Sequence, residues 1–139
     1  MATTARDIMT RDPQCVRETQ TLLEAARLMR DLDVGALPIC GEDGRLHGML
    51  TDRDIVVRCV AEGGDCSTMT ASSLAQGKPV TIGADDSVDE AMATMAKHQV
   101  RRLPVIDGHQ LVGIISEQNI AQGGRDRKVG DTIEEVTRA

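Results

Sequence analysis

Few side chains in this sequence are spaced for chemistry of their own. The cysteines are Cys15, Cys40, Cys59 and Cys66. None forms a C-x-x-C pair and their spacings match no common zinc pattern, so they read first as small buried hydrophobes. His47, His98 and His109 are dispersed and gather no metal site by spacing. No nucleophile elbow, phosphate loop or dinucleotide fingerprint is present, and no acid–base or nucleophile–base pairing is legible. The chain therefore reads as non-enzymatic, with no catalytic residue, no metal site and no required cofactor. Two segments stand out instead, Thr51-Asp-Arg-Asp54 and Ser116-Glu-Gln-Asn119. Each places a hydroxyl three residues before Asp or Asn at a position that opens a helix. A helix start presents free N–H groups and a positive dipole end to an anion. The same spacing is also a capping pattern, and a cap worth about 1 kcal/mol is reason enough for those side chains.

The elements that must position these segments come in two copies. Ala5 falls on Ala71, Pro13 on Pro79, Glu24 on Glu90, Met29 on Met95, and Leu37-Pro38 on Leu103-Pro104. After a single-residue gap, Gly48 falls on Gly113, Thr51 on Ser116, Asp54 on Asn119 and Ile55 on Ile120. A register that survives a gap over this length marks an internal repeat. In each copy an S/T-x-x-E capping box, Thr21 to Glu24 or Ser87 to Glu90, opens an apolar stripe at helical spacing. The stripes are Leu22, Ala25, Ala26 and Met29, then Val88, Ala91, Met92 and Met95. Two short apolar runs joined by a glycine-containing turn follow and read as a hairpin. Short strands are expected before the helices, at Cys15-Val16 and Val80-Thr81-Ile82. The unit is β-α-β-β-α, repeated, an α/β (α+β) fold. The repeats span 1–67 and 68–123, Glu62 to Thr70 reads as a linker, and 124–139 is a tail that can form a short helix.

Composition narrows the function. The chain has 139 residues, a formal charge of −6, 40% hydrophobic residues and no Phe, Tyr or Trp. Halves of roughly 60 residues bury only about 60% of their unfolded surface, so they are expected to fold against each other. The acidic balance argues against nucleic acid and against anionic lipid. The polar start lacks a signal-peptide h-region, and no apolar run approaches membrane-spanning length. A cytoplasmic protein is expected. A bound purine could not stack on an aromatic ring and would lie between aliphatic side chains and backbone.

The segments "VGALPIC…GRLHGMLTDRDI" and "VRRLPVID…LVGIISEQNI" resemble two CBS domains, a paired Bateman-type module, over roughly Ala5 to Ala121. The resemblance implies a pseudo-twofold pair of units with their sheets packed face to face. It implies a homodimer through CBS–CBS packing and a regulatory role exerted on a separate, unidentified effector protein. It further implies an adenosine-containing ligand (AMP, ADP, ATP or S-adenosylmethionine) in a cleft between repeats, although some members bind none. The family's ribose-contacting pattern, Gly-x-x-Thr/Ser-x-x-Asp, maps whole onto Gly48, Thr51 and Asp54, with Arg53 beside it. A carboxylate can accept from both ribose hydroxyls. The second copy departs from the pattern, reading Gly113, Ser116 and Asn119, and should be the weaker or empty site because Asn accepts on one oxygen only. Backbone at Val16, Leu37 and Pro38 corresponds to the family's adenine pocket. Arg101 and Arg102 replace Gly35 and Ala36 of the first copy. If the copies face each other they could hold phosphates; an ion pair at a surface or dimer interface is the equal alternative. The family fold also brings Cys15 and Cys40 near each other, which opens a redox-sensor reading. A ligand-free dimeric interaction or stress-response protein is a further alternative.

Overall fold

A computed structural model of the chain describes residues 3–75 and 79–127. Its elements run α1 (Ala5–Ile8), β1 (Thr10–Arg11), β2 (Val16–Arg17), α2 (Leu22–Leu32), β3 (Ala36–Cys40), β4 (Leu46–Thr51), α3 (Asp52–Ile55), β5 (Ile82–Gly83), α4 (Val88–His98), β6 (Arg102–Asp107), β7 (Gln110–Ser116) and α5 (Glu117–Arg127). A π-helical turn, Val56–Val60, continues α3, and a 3-10 turn, Ala71–Leu74, lies between it and β5. Each repeat has the expected β-α-β-β-α order. The described residues fall into two compact units, one within residues 14–79 and the other made of 3–13 with 80–127.

In the first repeat's unit, β3 is central in the order β2-β3-β4, parallel to β2 and antiparallel to β4. Thr21 caps α2 by accepting the Glu24 N–H at 3.1 Å, and the Glu24 carboxylate reaches back to the Thr21 N–H at 3.4 Å. The Gln20 amide, donating to Glu24, and that backbone bond hold the Glu24 carboxyl below its ordinary pKa. The apolar stripe of α2 buries Leu22, Ala25 and Met29 against Val16, Leu37, Ile39 and Leu50. Ala26, also expected on that stripe, is only half-buried.

The segment read as a linker is part of this unit. The first N–H groups of a helix have no partner within it. Here the Leu22 N–H donates to the Met69 carbonyl at 2.8 Å and the Leu23 N–H to the Cys66 carbonyl at 2.9 Å. The Ala71 and Ser72 N–H groups donate back to the Gln20 and Glu18 carbonyls. Residues 65–72 thus form a strap over the start of α2, tied by backbone groups that composition alone does not reveal.

In the other unit the sheet order is β1-β7-β6-β5. The β6–β7 hairpin turns through Gly108, whose φ of +65° suits glycine. Ala91 and Met95 of α4 pack with Ile82, Leu103, Val105 and Ile115. Two expectations need correction here. Met92 is 49% exposed and lies off the buried stripe, because a stripe of this width takes Ala91 and Met95 alone. The capping box of α4 is half made: Ser87 accepts the Glu90 N–H at 3.1 Å, while the Ser87 backbone pairs in a bridge with Thr4.

That bridge belongs to an exchange of lead segments. α1 and β1, which open the first repeat in sequence, pack in the unit of the second. Ala5 is fully buried in its core, with Ile8 and Met9 against it, and β1 pairs antiparallel with β7. Arg6 bridges to Asp107 at 3.0 Å and to Asp85 at 3.3 Å. The counterpart of α1 by repeat alignment, Ala71–Leu74, packs in the core of the first repeat. The repeat boundary at 67/68 and the boundaries of the compact units are therefore different cuts. At the other end, α5 runs through Arg127, past the start of the tail at 124; the rest of the tail lies outside the described residues.

Candidate functional site

Strand β4 delivers Thr51 to the start of α3 with an extended backbone, φ −111° and ψ 160°. The Asp54 N–H donates to Thr51 Oγ1 at 3.1 Å, and the Thr51 N–H donates to Asp54 Oδ2 at 2.9 Å. The capping reading of Thr51-x-x-Asp54 is thus realised in full. It engages one carboxylate oxygen, and Oδ1 takes no part in it. Gly48 is buried on β4, where a Cβ would sit 3.4 Å from the Ala75 Cβ. The exposed Arg53 sits one residue along, its N–H donating to Asp52 Oδ1 at 2.8 Å. Gly35, by contrast, is explained locally: a Cβ there would lie 3.2 Å from Asp52 Oδ2.

The second copy keeps the cap and uses up the asparagine. Asn119 Oδ1 accepts from both the Ser116 N–H and the Ser116 hydroxyl, each at 2.9 Å. The Asn119 N–H donates to Ser116 Oγ at 3.1 Å, and its side-chain amide donates to Thr10 Oγ1 at 3.4 Å. The Asn oxygen is thus doubly engaged, and the amide is turned to the lead segment from the N-terminus. Arg101 and Arg102 are both exposed. Arg102 pairs with Ser116 in the β6–β7 ladder. Arg101 lines a groove of about 460 Å³ between α4 and α5, with Met92, Met95, Gln99, Glu117 and Ile120.

Val16, Leu37 and Pro38 are buried, the first two in the core beneath the sheet. The side chains of Val16 and Leu37 pack in the first repeat's core. Cys15 and Cys40 are joined as a disulfide, their Cα atoms 5.8 Å apart. Beside them, His47 Nδ1 lies 3.5 Å from Glu18 Oε2. A second sulfur pair was missed in the sequence. Cys59 and Cys66 bring their Sγ atoms to 2.9 Å. Their contact is created by the strap, and the only sequence signal for it is the glycine pair between them, Gly63-Gly64. The hydrogen bond with Cys66, with burial, pushes the Cys59 thiol up to about 11.

Two β-α-β-β-α repeats, each carrying a capped helix start after a glycine-marked strand, define a tandem regulatory-domain architecture, and the family model for the CBS domain matches residues 5–60 and 71–124. The chain belongs to the CBS domain family, as a domain pair. It is 54% identical to hypoxic response protein 1 of Mycobacterium tuberculosis over 120 residues, 86% of this chain and 84% of that protein. The crystal structure of Hypoxic Response Protein I with two coordinated zinc ions superposes with a TM-score of 0.82, covering 86% of this chain and 98% of that one. The CBS domain pair of protein MJ0100, solved with 5'-methylthioadenosine and S-adenosyl-L-methionine, is 26% identical with a TM-score of 0.78, covering 92% of this chain and all of its own, 100%. CBS-domain pairs are generally regulatory and non-catalytic. Among the described residues, no helix is long and apolar enough to cross a membrane.

Proposed function

We propose that the chain is a ligand-responsive regulatory module. It binds one adenosine-containing molecule at the Thr51–Asp54 end of the first repeat and signals to a separate protein. The observation that carries this is the inequality of the two caps. Asp54 meets its capping duty with Oδ2, so Oδ1 can accept from a ribose hydroxyl, whereas the Asn119 oxygen is spent on Ser116. The adenosine ligands of the MJ0100 domain pair support the same class of molecule here. Calorimetry with AMP, ADP, ATP and S-adenosylmethionine tests it. One of them should bind at one site per chain, and Asp54→Asn should weaken binding by at least about tenfold, as expected for a lost charged acceptor. Absence of heat with all four ligands, or an Asp54→Asn chain that binds as well as the parent, refutes it.

Hypoxic Response Protein I is a relative solved with two coordinated zinc ions. No three His, Cys, Asp or Glu side chains gather among the described residues, and Cys15 and Cys40 are bonded to each other. That bond favours a second reading, in which Cys15 and Cys40 report redox state; both thiols staying free under oxidising buffer would exclude it.

Self-association accompanies the first reading. Val56, Val57 and Val60 are 58%, 41% and 59% exposed on one helical turn, an apolar face that a lone chain would leave in water. Val60→Lys should shift the chain from dimer to monomer in light scattering, and an unchanged mass would count against this face.

A further inference from the structure

The four cysteines all fall in one unit, and the Cys15–Cys40 bond accounts for two of them. The other two are placed by different elements. Cys59 is fully buried near the end of the π turn that continues α3. Cys66 is half-buried in the strap, next to an Asp65 that fixes the turn by accepting from the Ser67 N–H and hydroxyl at 2.9 and 2.6 Å. The two sulfurs lie 2.9 Å apart across a separation of seven residues. The chain between them is folded for this approach. The Gly64 N–H donates to the Cys59 carbonyl at 2.8 Å. A Cβ on Gly64 would lie 2.7 Å from Met69 Sδ, 3.2 Å from the Cys59 carbonyl oxygen and 3.4 Å from Cys59 Sγ, so glycine leaves room for the close approach. The Cys66 carbonyl is itself the acceptor for the Leu23 N–H. Any bond made at Cys66 therefore also fixes the cover over the start of α2.

We infer that Cys59 and Cys66 form a reversible dithiol–disulfide latch, oxidised by low-molecular-weight disulfides, that locks the strap of residues 65–72 onto the first repeat. Cys66, the more accessible sulfur, attacks the small disulfide as its thiolate, forming a mixed disulfide and releasing one small thiolate. Cys59 then gives up its proton to solvent, attacks the Cys66 sulfur and expels the second small thiolate. Each protein sulfur loses one electron, and the small disulfide gains two and leaves as two thiols. The raised Cys59 pKa fits a buried resolving thiol that stays protonated until its partner has reacted. Reduction by excess small thiol runs the same steps backwards. The latch is independent of the adenosine reading and of Cys15–Cys40.

The test is peptide mapping of the full chain after equilibration in glutathione buffers of graded oxidised-to-reduced ratio, with free thiols trapped by alkylation. The expected result is an intramolecular Cys59–Cys66 peptide lighter by two hydrogens, which returns to two alkylatable thiols on reduction. In the oxidised form, amide exchange at Leu22 and Leu23 should slow relative to the reduced form. Cys66→Ser should abolish that cross-link, keep Cys15–Cys40, and leave Cys59 unreactive in the folded chain. Three results would overturn the inference. These are Cys66 stopping as a mixed glutathione disulfide with Cys59 still free, both thiols staying alkylatable in buffer that fully oxidises Cys15–Cys40, or exchange at Leu22 and Leu23 that ignores the state of the pair. The parent chain alone supplies all three readouts if the serine variant fails to fold.

Discussion

At the scale of single residues, the two copies of the helix-start motif separate capping from binding. Thr51 and Ser116 do the same work, each accepting the N–H three residues on at 3.1 Å. Thr51→Ala should therefore destabilise the chain by about 1 kcal/mol, the usual cost of a lost cap, seen as a lower denaturant midpoint at unchanged slope. Asp54→Asn should not do so. The second repeat already shows an asparagine oxygen accepting the equivalent backbone N–H at 2.9 Å, so its stability should stay within about 0.5 kcal/mol of the parent. A large loss of stability in Asp54→Asn would mean that the carboxylate is there for folding. The cap was legible in the sequence because it is local, set by residues three apart. What was not legible is how Asn119 is consumed, because its amide partner Thr10 stands more than a hundred positions away.

At the scale of elements, helix starts and stops follow the sequence closely, and their weak points can be named. α2 and α4 both end on a left-handed residue, Asp33 with φ 56° and Gln99 with φ 54°. Asp tolerates that region better than Gln does. Glycine has no Cβ to clash there. Gln99→Gly should thus raise stability by roughly 0.5–1 kcal/mol, and Asp33→Gly by less. Thermal unfolding of the two variants side by side checks both the sign and the order. A fall in midpoint for Gln99→Gly would show that its side chain, which borders the α4–α5 groove, packs better than its backbone suggests. The strap was the element that sequence hid. Its residues are the polar and small types that mark a linker, and its order comes from backbone bonds to residues 18–23, which leave no trace in composition. The Cys59–Cys66 contact was hidden for the same reason.

At the scale of the whole molecule, duplication made the architecture readable but concealed which segment completes which core. Aligning Ala5 with Ala71 shows that both lead segments are alike; periodicity cannot say onto which copy each one folds. Both alanines are fully buried, each within the core of the other repeat's sequence half. Residues 3–13 are thus structural parts of the second repeat's unit. A chain beginning at Gln14 should lose the burial of Ala5, Ile8 and Met9, the β1–β7 pairing and the Arg6 bridges to Asp85 and Asp107. At about 1.5–3 kcal/mol for each large apolar side chain fully buried, and less for these partly covered ones, the loss should be several kcal/mol. That is a large fraction of the roughly 5–15 kcal/mol that holds a small domain. The damage should also be uneven. Hydrogen exchange should speed up first at Val112 to Ile114, the stretch of β7 that β1 covers, while β3 and β4 of residues 14–79 keep their protection. Adding back a peptide of residues 3–13 should restore the β7 protection in proportion to peptide bound. Uniform loss across both units would mean that they unfold as one. No loss at all would mean that the lead segment is an ornament on a core already complete, and the full burial of Ala5 argues against that.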